Sequence, residues 1–286
     1  MKKVAIVTDT TACVPGEQVA KYDIEVVPVQ IIFEDKAHRN GIDMSPTSFY
    51  ILLRQVKQLP TTSSPSSGHY LEAYTKASQK AESILCITNP SKFSAMFDSA
   101  LVAKEMAKTV LSDVMIEVLD CTTAAAGQGL VALAAAKAAA PGRDLNEVTE
   151  TAKNIMHRVN LFATLDTLNY LVKGGRVPQA AALVNSLLKI KPIFTLNHAE
   201  PRTVALPRTI PSAMKRMLKM MEQTVVKGQP FHVAVMHADA LDKAIALRNR
   251  IASQFDCAEL FITEFTPVMG VHTGPGLLGI AFYTAD

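Results

Sequence analysis

Val4-Ala-Ile-Val7, running straight into Thr8-Asp9-Thr10-Thr11, is the stretch that decides the fold class. Four aliphatic residues in a row leave no polar face, so the strand they form has to be covered on both sides, as strands of parallel sheets are. The abrupt change to hydroxyls and a carboxylate marks the C-terminal end of that strand opening into a loop. Val26-Val-Pro-Val-Gln-Ile-Ile-Phe33, Ser83-Ile-Leu-Cys-Ile-Thr88 and Val114-Met-Ile-Glu-Val-Leu119 repeat the pattern. Helices are expected over Ser45 to Gln58, Gly68 to Lys80, Ser94 to Leu111 and the alanine-rich span from Thr123 to Ala140. Strands alternating with helices of this length read as βαβ units. Ligands of such sheets gather beyond the carboxyl ends of the strands, where Thr8, Asp9, Thr88 and Asp120 fall.

Composition shifts after Pro141-Gly142-Arg143. Helices are expected over Leu145 to Arg158 and Leu165 to Val172, the second stopped by Lys173-Gly-Gly-Arg176 with glycine just past its end. A strand at Ile190-Lys-Pro-Ile-Phe-Thr195, a helix from Ile210 to Val226, the strand Phe231-His-Val-Ala-Val-Met236, a helix from Leu241 to Gln254, and strands near Ala258 and Gly279 follow. The fold class is α/β: a parallel-sheet N-terminal domain with helices on both faces, residues 1–158, and a smaller α+β C-terminal domain, residues 159–286.

The chain of 286 residues is 49% hydrophobic and 19% charged, which gives it ample core and sets it apart from disordered sequences. Its net charge of +3 gives no support to wholesale nucleic-acid binding. Cys13, Cys86, Cys121 and Cys257 are far apart and form no CxxC pair, so they read as reduced thiols with no zinc site. Met1-Lys-Lys leads directly into the first strand, too abruptly for a signal peptide, and no apolar run approaches the roughly 20 residues of a membrane helix. The expected setting is the cytoplasm, without stable membrane insertion.

Chemistry concentrates in two places. Pro267-Val-Met-Gly-Val-His-Thr-Gly-Pro-Gly276 sets His272 among glycines, and Pro60-Thr-Thr-Ser-Ser-Pro-Ser66 carries five hydroxyls. Glycine permits positive φ and close backbone approach, so the first segment reads as a loop bringing an imidazole and peptide N–H groups to a small polar group. Its bland reading is a turn into the last strand. For Thr61, Thr62, Ser63, Ser64 and Ser66 the bland reading is a turn or a helix N-cap, with Ser66 or Ser67 capping the helix before Tyr70. Together the two segments can hold a small anion.

These motifs, taken in order, resemble the DegV family, which includes the fatty-acid-binding FakB proteins. The resemblance rests on Asp9, the Pro60–Ser66 cluster, Ser91-Lys-Phe-Ser-Ala-Met-Phe-Asp-Ser-Ala100, Thr164-Leu-Asp-Thr-Leu-Asn-Tyr-Leu-Val-Lys-Gly-Gly-Arg176, Ile190-Lys-Pro-Ile193 and Gly270-Val-His-Thr-Gly-Pro-Gly276. It implies one long-chain fatty acid in a buried apolar tunnel, its carboxylate held by Thr62, Ser94 and His272. Arg176 and Arg208 would lie at the rim or face a partner, an ATP-binding fatty-acid kinase that phosphorylates the carboxyl group. The chain departs from the family pattern at Phe93-Ser-Ala-Met-Phe97, where Leu-Ser-Gly-Thr-Tyr is usual, and at Asn197-His198, where Asp-Gly is usual.

Hydroxyls suit a buried carboxylate, because each rotates its O–H toward the anion without adding charge. His272 adds an N–H, while Arg176 beside two glycines is equally a helix C-terminal cation. Arg202, Arg208, Lys215, Arg216 and Lys219 form the densest basic stretch, by default a solvated face. The alternative class is a hydrolase, or a small phosphate or anion-binding enzyme, built on the Thr/Ser cluster and His272. Against the first, the chain has no Gly-x-Ser-x-Gly elbow; against the second, it has neither a phosphate loop with its lysine nor a dinucleotide fingerprint. No catalytic residue, cofactor or metal ligand is expected.

Overall fold

The computed structural model describes residues 2–177, 180–184, 190–226 and 228–285. Its first strand, β1 (Lys2–Asp9), is buried from Val4 onward and lies between parallel neighbours. A 3-10 turn, Thr10–Ala12, and α1 (Gly16–Tyr22) lead to β2 (Glu25–Val27), β3 (Gln30–Phe33), β4 (Lys36–Arg39), α2 (Pro46–Leu53), β5 (Thr61–Ser63) and α3 (Ser67–Ser78). β6 (Ala81–Thr88), α4 (Met96–Val110), β7 (Met115–Asp120), α5 (Ala126–Ala139) and α6 (Leu145–Arg158) complete the first half. The parallel sheet has the order β2-β1-β6-β7.

One expected strand is in fact two. Val26–Phe33 breaks at Pro28, so that only Glu25–Val27 joins the parallel sheet, while Gln30–Phe33 pairs antiparallel with β4 and β5 in a separate three-stranded sheet. Proline has no N–H to give a ladder, and the chain turns out of the sheet there. That small sheet carries the hydroxyl cluster, with Thr62 in register with Ile31.

The second half contains β8 (Asn160–Thr164), α7 (Asn169–Gly174), α8 (Ala180–Val184), β9 (Ile193–Asn197), β10 (Glu200–Ala205), α9 (Ile210–Thr224), β11 (Phe231–His237), α10 (Leu241–Gln254), β12 (Glu259–Glu264), α11 (Pro267–Thr273) and β13 (Leu278–Thr284). Its strands form one mixed sheet, β10-β9-β8-β13-β11-β12. The helix expected from Leu165 starts later, at Asn169.

Strand periodicity gives the mixed sheet two faces. Phe162, Ile193, Val235 and Ile280 point to a core made with α9 and α10. Leu161, Ala163, Phe194, Met236 and Ala281 point the other way, toward the parallel-sheet half. Between the sheets runs α5, with every residue buried except Lys137, whose amine pairs with Glu259 of β12 at 2.6 Å. Its alanines let it press on β1, β11 and β13 at once. No helix among the described residues is long and apolar enough to cross a membrane.

Candidate functional site

A cavity opens between the inner face of the mixed sheet, the small sheet and the loops at the carboxyl ends of β1 and β6. It holds about 190 Å³ of space for the centres of water-sized spheres, more than ten times what one water needs. Most of its wall is apolar, including Leu161, Ala163, Phe194, Leu196, Met236 and Leu277. Thr62, Ser64, Asn89, Ser94, Arg176 and His272 supply polar groups.

His272 arrives on a helix rather than on the loop expected for Pro267–Gly276. Pro267 starts α11 at a position where its missing N–H costs nothing, and Gly274, at φ 69°, ends it. A side chain at Gly274 would collide with the Tyr170 ring, so the helix end also depends on glycine for room. Gly174, last in α7, allows a second close approach: a Cβ there would lie 2.9 Å from His272 Nδ1. The imidazole is thereby pressed between two helices.

The polar groups are organised as two pairs. His272 Nε2 lies 3.0 Å from Thr62 Oγ1, and Ser64 Oγ lies 2.8 Å from Ser94 Oγ. His272 Nδ1 is buried without a partner, so the tautomer with hydrogen on Nε2 avoids stranding a donor there. Nε2–H then donates to Thr62, whose own O–H is free to turn into the cavity. In the serine pair, Ser94 Oγ also accepts from the Met96 N–H at 3.3 Å. With Ser64 donating to it, the Ser94 proton is released toward the cavity too. Each pair therefore offers one O–H, from Thr62 and from Ser94. Ser64, read from sequence only as part of a turn cluster, is the orienting partner.

Burial first, and the Arg176 charge second, hold the His272 imidazole down to about 4, well below its ordinary 6.5. It is a neutral group at neutral pH. In ligand-free protein its NMR titration is expected to show no midpoint near neutrality and one near pH 4. A histidine with a lowered folded pKa stabilises the fold above its unfolded value, and that contribution falls away between pH 6.5 and about 4. A midpoint near 6.5 would show instead that the ring is solvated.

Behind the cavity wall lies a fully buried carboxylate. Asp9 accepts from the Thr11 N–H at 2.8 Å, the Asn89 N–H at 3.0 Å, Gln128 Nε2 at 3.0 Å and the Thr11 hydroxyl. Burial raises its pKa above the ordinary value, and these four bonds pull it back. Sequence reasoning placed Asp9 at the strand end but missed what it holds, which is Thr11 and Asn89 of the wall.

Thr62, Ser94, His272 and Arg176 thus converge on one cavity, whereas Arg208 lies exposed in the connection between β10 and α9, outside the wall. The Arg176 side chain is exposed and returns to the Gly174 carbonyl at 2.9 Å, as a helix-end cation does. Ser94 bonds Ser64, His272 bonds Thr62, and Asp9 bonds neither, so no Ser-His-Asp relay is assembled among the described residues.

The DegV family model matches residues 3–285. Protein DegV of Bacillus subtilis is 29% identical over 284 residues, covering 98% of each chain. A DegV domain-containing protein of Clostridium acetobutylicum is 32% identical over 281 residues, again over 98% of each. Among solved structures, a fatty-acid-binding DegV family protein from Thermus thermophilus superposes with a TM-score of 0.91 at 25% identity over 100% of both chains. The fatty-acid-binding DegV of B. subtilis gives 0.87 at 27% identity, also over 100% of both.

Proposed function

This chain belongs to the DegV family, and from that premise we propose that it carries one long-chain fatty acid in the cavity, does not turn it over, and presents the carboxyl end to an ATP-binding fatty-acid kinase in the cytoplasm. The observation that carries this reading is the cavity's polarity: an apolar wall with two oriented hydroxyls, Thr62 and Ser94, offered to one anion. Burying about 14 methylenes at ~0.8 kcal/mol each gives roughly 11 kcal/mol, from which chain ordering and lost translational freedom subtract a large part. Micromolar to nanomolar affinity remains within reach.

His272 favours a carrier over a hydrolase, because its Nε2–H donates to the Thr62 hydroxyl, whereas a general base would accept that proton. A carboxylate that a partner enzyme modifies has to lie near the surface, and the exposed Arg176 on the cavity wall supports that placement. Arg208 is suited to an acidic partner surface, being exposed and away from the lipid.

Denaturing organic extraction of the purified protein, read by mass spectrometry, should release about one equivalent of fatty acid, a one-site stoichiometry. With the cognate kinase, Arg176→Ala and Arg208→Ala should slow acyl-phosphate formation while leaving lipid affinity near that of the parent. Absence of lipid together with robust esterase activity lost in Ser94→Ala would replace the carrier with the hydrolase. Unchanged acyl-phosphate formation in both arginine variants would remove them from the transfer step.

A further inference from the structure

We propose that Asn89 is a further ligand of the head group, supplying a donor that the two hydroxyl pairs lack; the assignment rests on the fatty-acid reading above. Asn89 lines the cavity, is 7% exposed, and its Oδ1 is buried without a partner. Neither end of the amide forms a hydrogen bond among the described residues. Its backbone is held in place, since the N–H donates to Asp9. A buried amide left unpaired is costly, and Asn89 is one of the residues that line the space a ligand would fill.

Counting donors says what that ligand group needs. An ionised carboxylate has about four acceptor sites, and the two pairs release only one proton each, from Thr62 and from Ser94. A carboxylate short of donors in an apolar cavity is poorly compensated. The Asn89 Nδ2 carries two N–H donors that no group among the described residues accepts, whereas Oδ1 is the end sealed from solvent. That donor is neutral, like the other two, and adds no charge to that of Arg176 on the same wall.

Connectivity places Asn89 at the head-group end. Asp9 binds the Thr11 and Asn89 N–H groups together, setting these residues side by side. Thr10 Oγ1 accepts from the Val29 N–H at 3.1 Å, and Val29 leads into β3, where Ile31 is the register partner of Thr62. On the other side, the connection that begins at Asn89 runs through Phe93 to Ser94. The amide belongs to the wall that joins Thr62 to Ser94.

The test uses the full chain, stripped of lipid, with three fluorescent probes: a long-chain fatty acid, its primary alcohol, and the same acid hydroxylated at mid-chain. Asn89→Leu, with Asn89→Ala as a second variant, should weaken the fatty acid roughly tenfold, the effect of one donor to an anion. Affinity for the alcohol should change less than twofold, which also shows that the variants are folded. Equal loss for acid and alcohol, or no loss for either, would overturn the assignment and leave the amide to structure or to water. Loss confined to the hydroxylated acid would move Asn89 from the head group to the chain. If the parent binds none of the probes, the fatty-acid reading fails first and this assignment falls with it.

Discussion

Thr62→Val combined with Ser94→Ala is expected to lower fatty-acid affinity by more than a hundredfold while the protein keeps its fold. Each substitution removes the one proton that its pair releases into the cavity. Thr62→Val keeps the shape and leaves His272 Nε2 without its partner at 3.0 Å. Ser94→Ala strands the Ser64 hydroxyl, which sits 2.8 Å away. A hydrogen bond to a charged group is worth about 1.5–3 kcal/mol, so each single variant should lose about tenfold to a hundredfold. The two sites share one anion, so their effects need not add, and the double variant should fall at or below the product of the singles. Fluorescence titration with a long-chain fatty acid reads the affinity, and circular dichroism with thermal unfolding reads the fold. Binding equal to the parent in both single variants would mean that the carboxylate sits elsewhere.

The two residues differ in how visible their partners are in the sequence. Thr62 and Ser94 are legible because hydroxyls cluster next to prolines and at the start of a helix, and the family motifs pass through both. The pairings are not. Thr62 and His272 are 210 residues apart, and their contact depends on α11 packing against the small sheet. That helix was hidden because glycines on both sides of His272 look like a loop, although Pro267 marks a helix start. The small sheet was hidden for the opposite reason: the apolar run Val26–Phe33 looks continuous, and the break at Pro28 divides it between two sheets.

The cavity wall was illegible in principle. Leu161, Ala163 and Phe194 alternate with Phe162 and Ile193 along their strands, as residues of any sheet buried on both faces do. Nothing in that alternation says that one face meets a helix core and the other a cavity. α5 makes the difference. Its alanines fill part of the space between the sheets, and the cavity occupies the part beyond its N-terminal end, where Ala124 and Ala125 join the wall. Asn89 had a weak signal: it is a polar residue directly after the aliphatic run of β6, where a parallel sheet offers groups to a ligand.

Asp9→Ala is expected to cost on the order of 3–5 kcal/mol of stability, among the largest effects of a single substitution in this chain. The carboxylate accepts from the Thr11 N–H, the Asn89 N–H and Gln128 Nε2; the two backbone N–H groups would be left buried without an acceptor, while Gln128 Nε2 keeps Thr8 Oγ1 and the Ile87 carbonyl. Asp9→Asn sharpens the argument. It removes the buried charge, the main reason for the raised pKa, and would stabilise the protein if desolvation were the whole account. Three of the neighbours that meet Asp9 are N–H groups that cannot accept, however, and an amide turns its own N–H₂ group toward some of them. The expected result is therefore a loss of about 2–4 kcal/mol, read as a lower urea midpoint at unchanged slope. The pH dependence follows from the sign of the shift. A carboxyl whose folded pKa is raised contributes stability that is full below its unfolded value of 3.8 and is lost as pH rises through the folded value. The deficit of Asp9→Asn against the parent should be largest in acid and shrink toward neutrality. An Asn variant as stable as the parent at every pH would show that Asp9 is not the acceptor that fixes Thr11 and Asn89. Lipid affinity should fall with it, because those two residues line the cavity and lose the anchor that sets their backbone.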